Sequence, residues 1–293
     1  MNKTGSETLN LVGDNSGYKG DINIKEGTLA FNDLNNKFVQ SEINLQGSSP
    51  DNKANLVYTA NSDNSFDNTV NLNGNASVTV AGVGSNTISV TNPANTSGNN
   101  NTAAYENADF VFDNSFADFG TTGTGNSFSV SDGSFSLGEN TQNFGNSSLN
   151  ADFNNVTINL HQPDESSSGL NKLTFNDLTI SGNTSLNIDL DLKNNKDQQN
   201  PTTDNPESDK IVYNQGSGTI DIGTINIYKN GEWVDKEITV LEKTGTSGGE
   251  ISIGQMNPIT VVTSSDYEYE IKKSDNAGKL VISTTDYLSL IHI

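Results

Sequence analysis

Three observations predict an all-β chain, and within that class a right-handed parallel β-helix, or β-solenoid. Apolar residues fall in short runs of strict alternation, no stretch repeats them at 3.6 residues, and only 31% of the 293 residues are hydrophobic. Period two over three to seven residues marks a strand with one buried face. Low hydrophobicity with a net charge of −21 could signal disorder, but a disordered chain does not keep such phase from end to end. A solenoid needs only a thin core, because each coil is covered by its neighbours. That favours it over the alternative, an antiparallel β-sandwich with a large shared core. Essentially no helix is expected.

The elements follow in order. Leu9-x-Leu11 and Ile22-x-Ile24 open the series, and Val70-x-Leu72 and Val78-x-Val80 continue it. Phe110, Phe112, Phe116, Phe119, Phe128 and Phe135 then form a row expected to stack inside the solenoid. Val156-x-Ile158-x-Leu160, Leu186-x-Ile188-x-Leu190-x-Leu192, Ile220-x-Ile222 and Ile225-x-Ile227 follow. Gly, Asn, Asp and Ser separate the runs, the residues that tolerate positive φ and form Asx-turns. Spacing between runs is too short for βαβ units. The 45 Asn residues add a second signal, since Asn side chains can stack as hydrogen-bonded ladders between coils. Four polar stretches, Gly47–Ala54, Asn92–Glu106, His161–Asn171 and Lys193–Asp209, are expected to protrude as loops from a single unit spanning residues 1–287. At about 20–25 residues and ~4.8 Å per coil, roughly twelve coils would span about 55–60 Å.

Composition excludes several functions. The chain has no Cys, so it has no disulfide framework, thiolate metal site or cysteine nucleophile. All 15 basic residues are Lys against 36 acidic ones, and the stretch from Ala54 to Asn171 holds eleven Asp and Glu but no Lys. Such a chain lacks the basic patch that nucleic acids and anionic membranes require. No apolar run approaches the ~20 residues of a membrane span.

Candidate chemistry is sparse. His161 sits in a polar stretch beside Gln162 and Pro163 and reads as a surface-loop residue; the chain has no phosphate loop ending in Lys-Ser/Thr. Asp189 and Asp191 share the outward side of one strand, about 6–7 Å apart, a separation that could suit an acid/base pair or a weak calcium site. Outward positions of an exposed strand are polar in any case. Asp204, Glu207 and Asp209 cluster in one stretch and read as a solvated acidic loop rather than a calcium cage. Trp233 follows the turn pair Asn230-Gly231 and reads as a coil-edge anchor rather than a sugar platform. No catalytic, cofactor-binding or metal-ligating residue is assigned, and no cofactor is expected.

The N-terminal spacing Leu9-x-Leu11-x-Gly13-x-Asn15-x-x-Tyr18-x-Gly20-x-Ile22-x-Ile24-x-x-Gly27-x-Leu29 resembles the autotransporter-associated β-strand repeat of bacterial surface proteins. Gly17 is one residue more than its most compact form has. The runs Lys172–Leu192, Ser208–Ile211, Gly218–Ile227 and Glu237–Leu241, with a final Tyr269–Ile282 unit, look like the last coils of an autotransporter passenger. Together these cover about half the chain. The resemblance implies a structural or adhesive passenger segment, exported to the bacterial cell surface. Its expected partners are host glycan, matrix or cell-surface protein, or a second copy of itself. An outer-membrane barrel would lie downstream, with no membrane insertion by this segment. A β-helix polysaccharide lyase or glycosidase and a ligand-free spacer are the alternatives. The absence of Arg counts against a lyase, which typically uses a basic residue at the reacting carbon. Met1–Gly5 carries no secretory signal, and the first repeat begins almost at once, as if mid-solenoid. Residues 288–293, Leu-Ser-Leu-Ile-His-Ile, read as a translated sequencing adapter.

Overall fold

The computed structural model describes residues 1–13, 15, 17–32, 41–83, 86–91, 94–138, 141–161, 170–191, 207–215, 220–230, 238–246, 251–252, 269–273 and 279–284, and every regular element among them is a β-strand. Residues 162–169 and 192–206 of two expected loops, Asp204, Trp233 and residues 288–293 lie outside the described residues.

Alternation becomes a stack in which the strands of successive turns lie on three faces. On the first face, Asn2–Lys3, Ile22–Ile24, Ile43–Leu45, Val70–Asn73 and Ala94–Ser97 pair in parallel. The second face runs through Thr8–Asn10, Gly27–Asn32, Ala54–Ala60, Ala76–Gly82 and Thr102–Glu106. It continues into the first halves of Ser127–Leu137 and Asn150–Asn159 and the second half of Lys172–Ser181. The third face takes Asn64–Phe66, Thr87–Val90, Asp109–Phe112, the second halves of Ser127–Leu137 and Asn150–Asn159, then Ser185–Asp191 and Thr224–Asn230. This parallel register removes the antiparallel sandwich.

Leu29, Leu56, Val78, Ala103, Phe128, Ala151 and Leu178 fall in one inward column. Successive members of this column are separated by close to the coil length that the sequence pattern suggested. Fewer turns form among the described residues than the expected twelve. The next step, from Ile180 to Ile220, is far longer than those before it, and the last strands leave the parallel stack. Lys279–Thr284 pairs antiparallel with Ile238–Lys243, and Tyr269–Lys273 pairs antiparallel with Lys279–Thr284. The expected final coil is therefore a hairpin laid along the end of the stack.

Two loop expectations change. Most of Asn92–Glu106 is strand: Ala94–Ser97 and Thr102–Glu106 belong to the first and second faces. Its polar composition concealed that Asn95 extends a ladder, donating from its amide to Asn71, which in turn donates to Asn44. Gly47–Ala54 is a compact turn closed by paired bonds between Ser48–Ser49 and Asn52.

The core is aromatic at mid-stack. Phe110, Phe112, Phe116, Phe119, Phe128 and Phe135 are all buried, as expected, and ring contacts link them to Tyr105, Phe144 and Phe153. Adjacent turns place rings 5.0–5.6 Å apart, for example Phe112–Phe135 and Phe112–Phe128, within the range of favourable aromatic pairs. At the N-terminal end Lys3 occupies an inward column position beside Ile24, and its ammonium bonds the carbonyls of Gly5 and Glu26.

The corner between the second and third faces explains the turn residues. Asn107, Asp132, Asn155 and Gly182 lie one per turn in register, with φ of 58°, 54°, 56° and 69°. Left-handed backbone favours Asn, Asp and Gly, so a single column of these residues turns each coil. Asn155 also donates its amide to Asp132 across turns, at 2.8 Å.

Candidate functional site

Two places on the outer surface bring reactive side chains together. The first lies at the end of the third face. Asn159 stands beside Asn187, and Asn187 beside Asn226. Two residues further on, His161, Asp189 and Tyr228 therefore occupy one outward column on three successive turns. The His161 Nδ1 is 2.6 Å from an Asp189 carboxylate oxygen. Its ring lies parallel to the Tyr228 ring with centroids 3.5 Å apart, so the two rings close over Asp189. About a fifth of each of the His161 and Asp189 side chains is exposed.

Asp209 holds this corner from inside. It is fully buried, and its carboxylate accepts the backbone N–H of Asn171 at 2.7 Å and of Asp189 at 2.5 Å. Its own N–H donates to the Asp189 carbonyl. Asn171 is buried too and donates its amide to the Leu160 carbonyl.

Sequence reasoning placed these residues differently. His161 is a partner of Asp189, not a free surface-loop histidine. Asp209 is not part of a solvated acidic loop: two backbone N–H donors hold its buried carboxylate, which leaves it poorly placed to ligate calcium. Asp191 continues the strand beyond Asp189, but the side chains of Asp191 and Glu207 lie outside the described residues. The strand period revealed that Asp189 points outward. It could not reveal the unequal steps along the chain that align His161, Asp189 and Tyr228.

A His–Asp pair is the orienting half of a hydrolytic triad. Here the ring stacks on Tyr228, and among the described residues no hydroxyl is hydrogen-bonded to its second nitrogen. The geometry is that of a clasp tying three turns.

The second place is a depression of about 290 Å³ on the second face, lined by Ser127, Phe128, Ser129, Asn150, Ala151, Asp152, Asp177 and Thr179. Asn150 stands beside Asp177 and Asp152 beside Thr179 on the adjacent strand. The two carboxylate-bearing residues are thus diagonal neighbours, about 8 Å apart for a ~4.8 Å strand spacing and ~3.3 Å rise. Asp152 is an exposed residue, but partial desolvation of its carboxyl in the depression pushes it above its usual value. Neither residue was singled out from sequence, because Asp152 stands at an outward position where alternation already predicts a polar residue.

Among the described residues no group of three or more His, Asp or Glu is arranged to hold a metal ion. No family model matches the chain, and no curated protein or solved structure matches it, so its functional reading rests on its own residues.

Proposed function

We propose that the chain is a structural and adhesive segment of a bacterial surface protein, of the autotransporter-passenger kind. In this reading it is exported beyond the outer membrane and engages host glycan, matrix or cell-surface protein along the outer faces of its coils. The observation that carries the proposal is the second face. Thr28, Asn55, Ser77, Thr102, Ser127, Asn150 and Asp177 form one outward column. Ala30, Val57, Thr79, Ala104, Ser129, Asp152 and Thr179 form the next. Short hydroxyl and amide side chains at a ~4.8 Å spacing make an even surface, with hydrogen-bonding groups repeated over many turns. Such a surface suits extended, multi-point contact more than capture of a small molecule. Asn ladders keep neighbouring turns in step, as at Asn159–Asn187–Asn226 and Asn150–Asn176–Asn214.

Cell adhesion tests the reading. Beads coated with the full chain should bind cultured mammalian cells or matrix proteins saturably, and uncoated beads should not. Equal binding by the two would sink it.

One observation favours a second reading, a polysaccharide-cleaving solenoid. Asp152 and Asp177 face one depression from adjacent strands, the pairing of two carboxylates that glycosidases place across a sugar. A deep groove enclosing the two carboxylates would strengthen it, but the depression is open to solvent. Release of reducing ends from neutral polysaccharides, lost in Asp177→Asn, would move the assignment to an enzyme.

A further inference from the structure

We infer that the depression at Asp152 and Asp177 is a binding subsite for a neutral saccharide, holding one or two sugar rings through their hydroxyl groups. The inference rests on the adhesive reading and gives it a place and a ligand chemistry.

Four observations carry it. First, size: about 290 Å³ lies at the small end of ligand pockets, which run from ~300 Å³ upward. Second, the polar groups are mixed in kind. Asp152 and Asp177 accept hydrogen bonds, the hydroxyls of Ser127, Ser129 and Thr179 both donate and accept, and the Asn150 side chain adds a carbonyl. A sugar ring presents adjacent hydroxyls that also donate and accept, and two such hydroxyls can donate together to one carboxylate. Third, Asp152 is an exposed residue whose carboxylate is open to a ligand on the outer surface, and its partial desolvation in the depression raises its pKa. A ligand hydroxyl would donate to this carboxylate in place of solvent, and charge-assisted hydrogen bonds of this type are the stronger ones. Fourth, the charge pattern selects against other ligands. Ala54 to Asn171 has no Lys, and the two carboxylates face the same depression, so an anionic sugar such as a uronate or sulphated unit is repelled. Phe128 and Ala151 point inward at the floor, leaving polar contact as the dominant mode.

The saccharide also accounts for the position. The depression lies where the small-residue columns of the second face meet their first carboxylates, Asp152 and Asp177, on adjacent strands. A chain of sugar units lying along the face would find hydroxyl or amide groups at Thr28, Asn55, Ser77, Thr102 and Ser127 on the turns before it.

A glycan array carrying neutral, sialylated and sulphated oligosaccharides, probed with the full chain, tests the inference. The neutral oligosaccharide that binds best is then titrated calorimetrically against wild type and variants. Asp152→Asn and Asp177→Asn should each weaken binding at least tenfold. Asp109→Asn, the same charge change on the third face, should change it less than twofold. Binding should weaken as pH falls, beginning above the ordinary aspartate range, because the ionised Asp152 is the acceptor. Circular dichroism melting of each variant guards against a folding defect, and Thr179→Val supplies a second, uncharged variant that should weaken binding. Neutral-glycan binding unchanged in Asp152→Asn and Thr179→Val would overturn the subsite while leaving the adhesive reading in place. Binding confined to anionic glycans, or calcium binding lost in Asp152→Asn without any glycan binding, would overturn the ligand class. No glycan binding together with no bead adhesion would remove both.

Discussion

At Asp209 a single carboxylate does what a loop could not do alone. It satisfies two backbone N–H groups on different segments, at Asn171 and Asp189, in a fully buried position. Removing it orphans both donors, each costing about 1–3 kcal/mol. Asp209→Ala should lower unfolding free energy by about 2–4 kcal/mol in urea titrations, with Asp209→Asn intermediate. A change below about 0.5 kcal/mol, the size of an ordinary surface substitution, would show that the corner is held otherwise. Tyr213 behaves in the opposite sense. Its hydroxyl is buried and has no hydrogen-bond partner among the described residues, and burial pushes its pKa up to about 12. A phenol whose folded pKa lies above the unfolded ~10 stabilises fully below pH 10 and loses that stability as pH rises toward 12. Tyr213→Phe should therefore remove this alkaline loss. It should also leave stability at pH 7 unchanged or raised by about 1 kcal/mol, as measured by thermal and denaturant unfolding.

Turns and strands differ in how much of them the sequence disclosed. Alternation disclosed the strands, because inward positions such as Ile22, Ile24, Leu56 and Val78 are apolar almost without exception. The Phe row was legible for the same reason. The strand Ala94–Ser97 was not, since Asn and Thr fill it and its stability comes from the ladder through Asn95. Nor was the column His161–Asp189–Tyr228, because insertions of unequal length hide the register that aligns it. The left-handed corner is a further test of element logic. Asn155 has φ of 56°, so Asn155→Val forces a β-branched residue into a region it rarely adopts and should cost about 1–3 kcal/mol. Asn155→Gly should cost much less, because Gly enters that region freely. Equal losses in the two variants would shift the weight to the Asn155–Asp132 hydrogen bond. In the core, Phe112→Ala empties a position in contact with the rings of Tyr105, Phe135 and Phe144, and should cost about 3–5 kcal/mol in the same assay.

Over the whole molecule, a chain only 31% hydrophobic folds because no turn has to build a core of its own. Inward side chains are covered by neighbouring turns, and many outward Asn and Ser side chains bond a partner one turn away, as Ser77 does with Asn55 and Asn187 with Asn159. The same economy produces the even faces on which the proposed adhesion would rest. A net charge of −21, with no Lys from Ala54 to Asn171, disfavours association of those faces with anionic surfaces. The central claim is that the second face binds. Adhesion of beads carrying the full chain, compared with beads carrying a variant with Lys at Thr79, Ser129 and Thr179, tests it most directly. Saturable wild-type binding to cells should fall at least tenfold in the variant, with both proteins melting at the same temperature. Wild-type binding that survives the three lysines undiminished would contradict that claim.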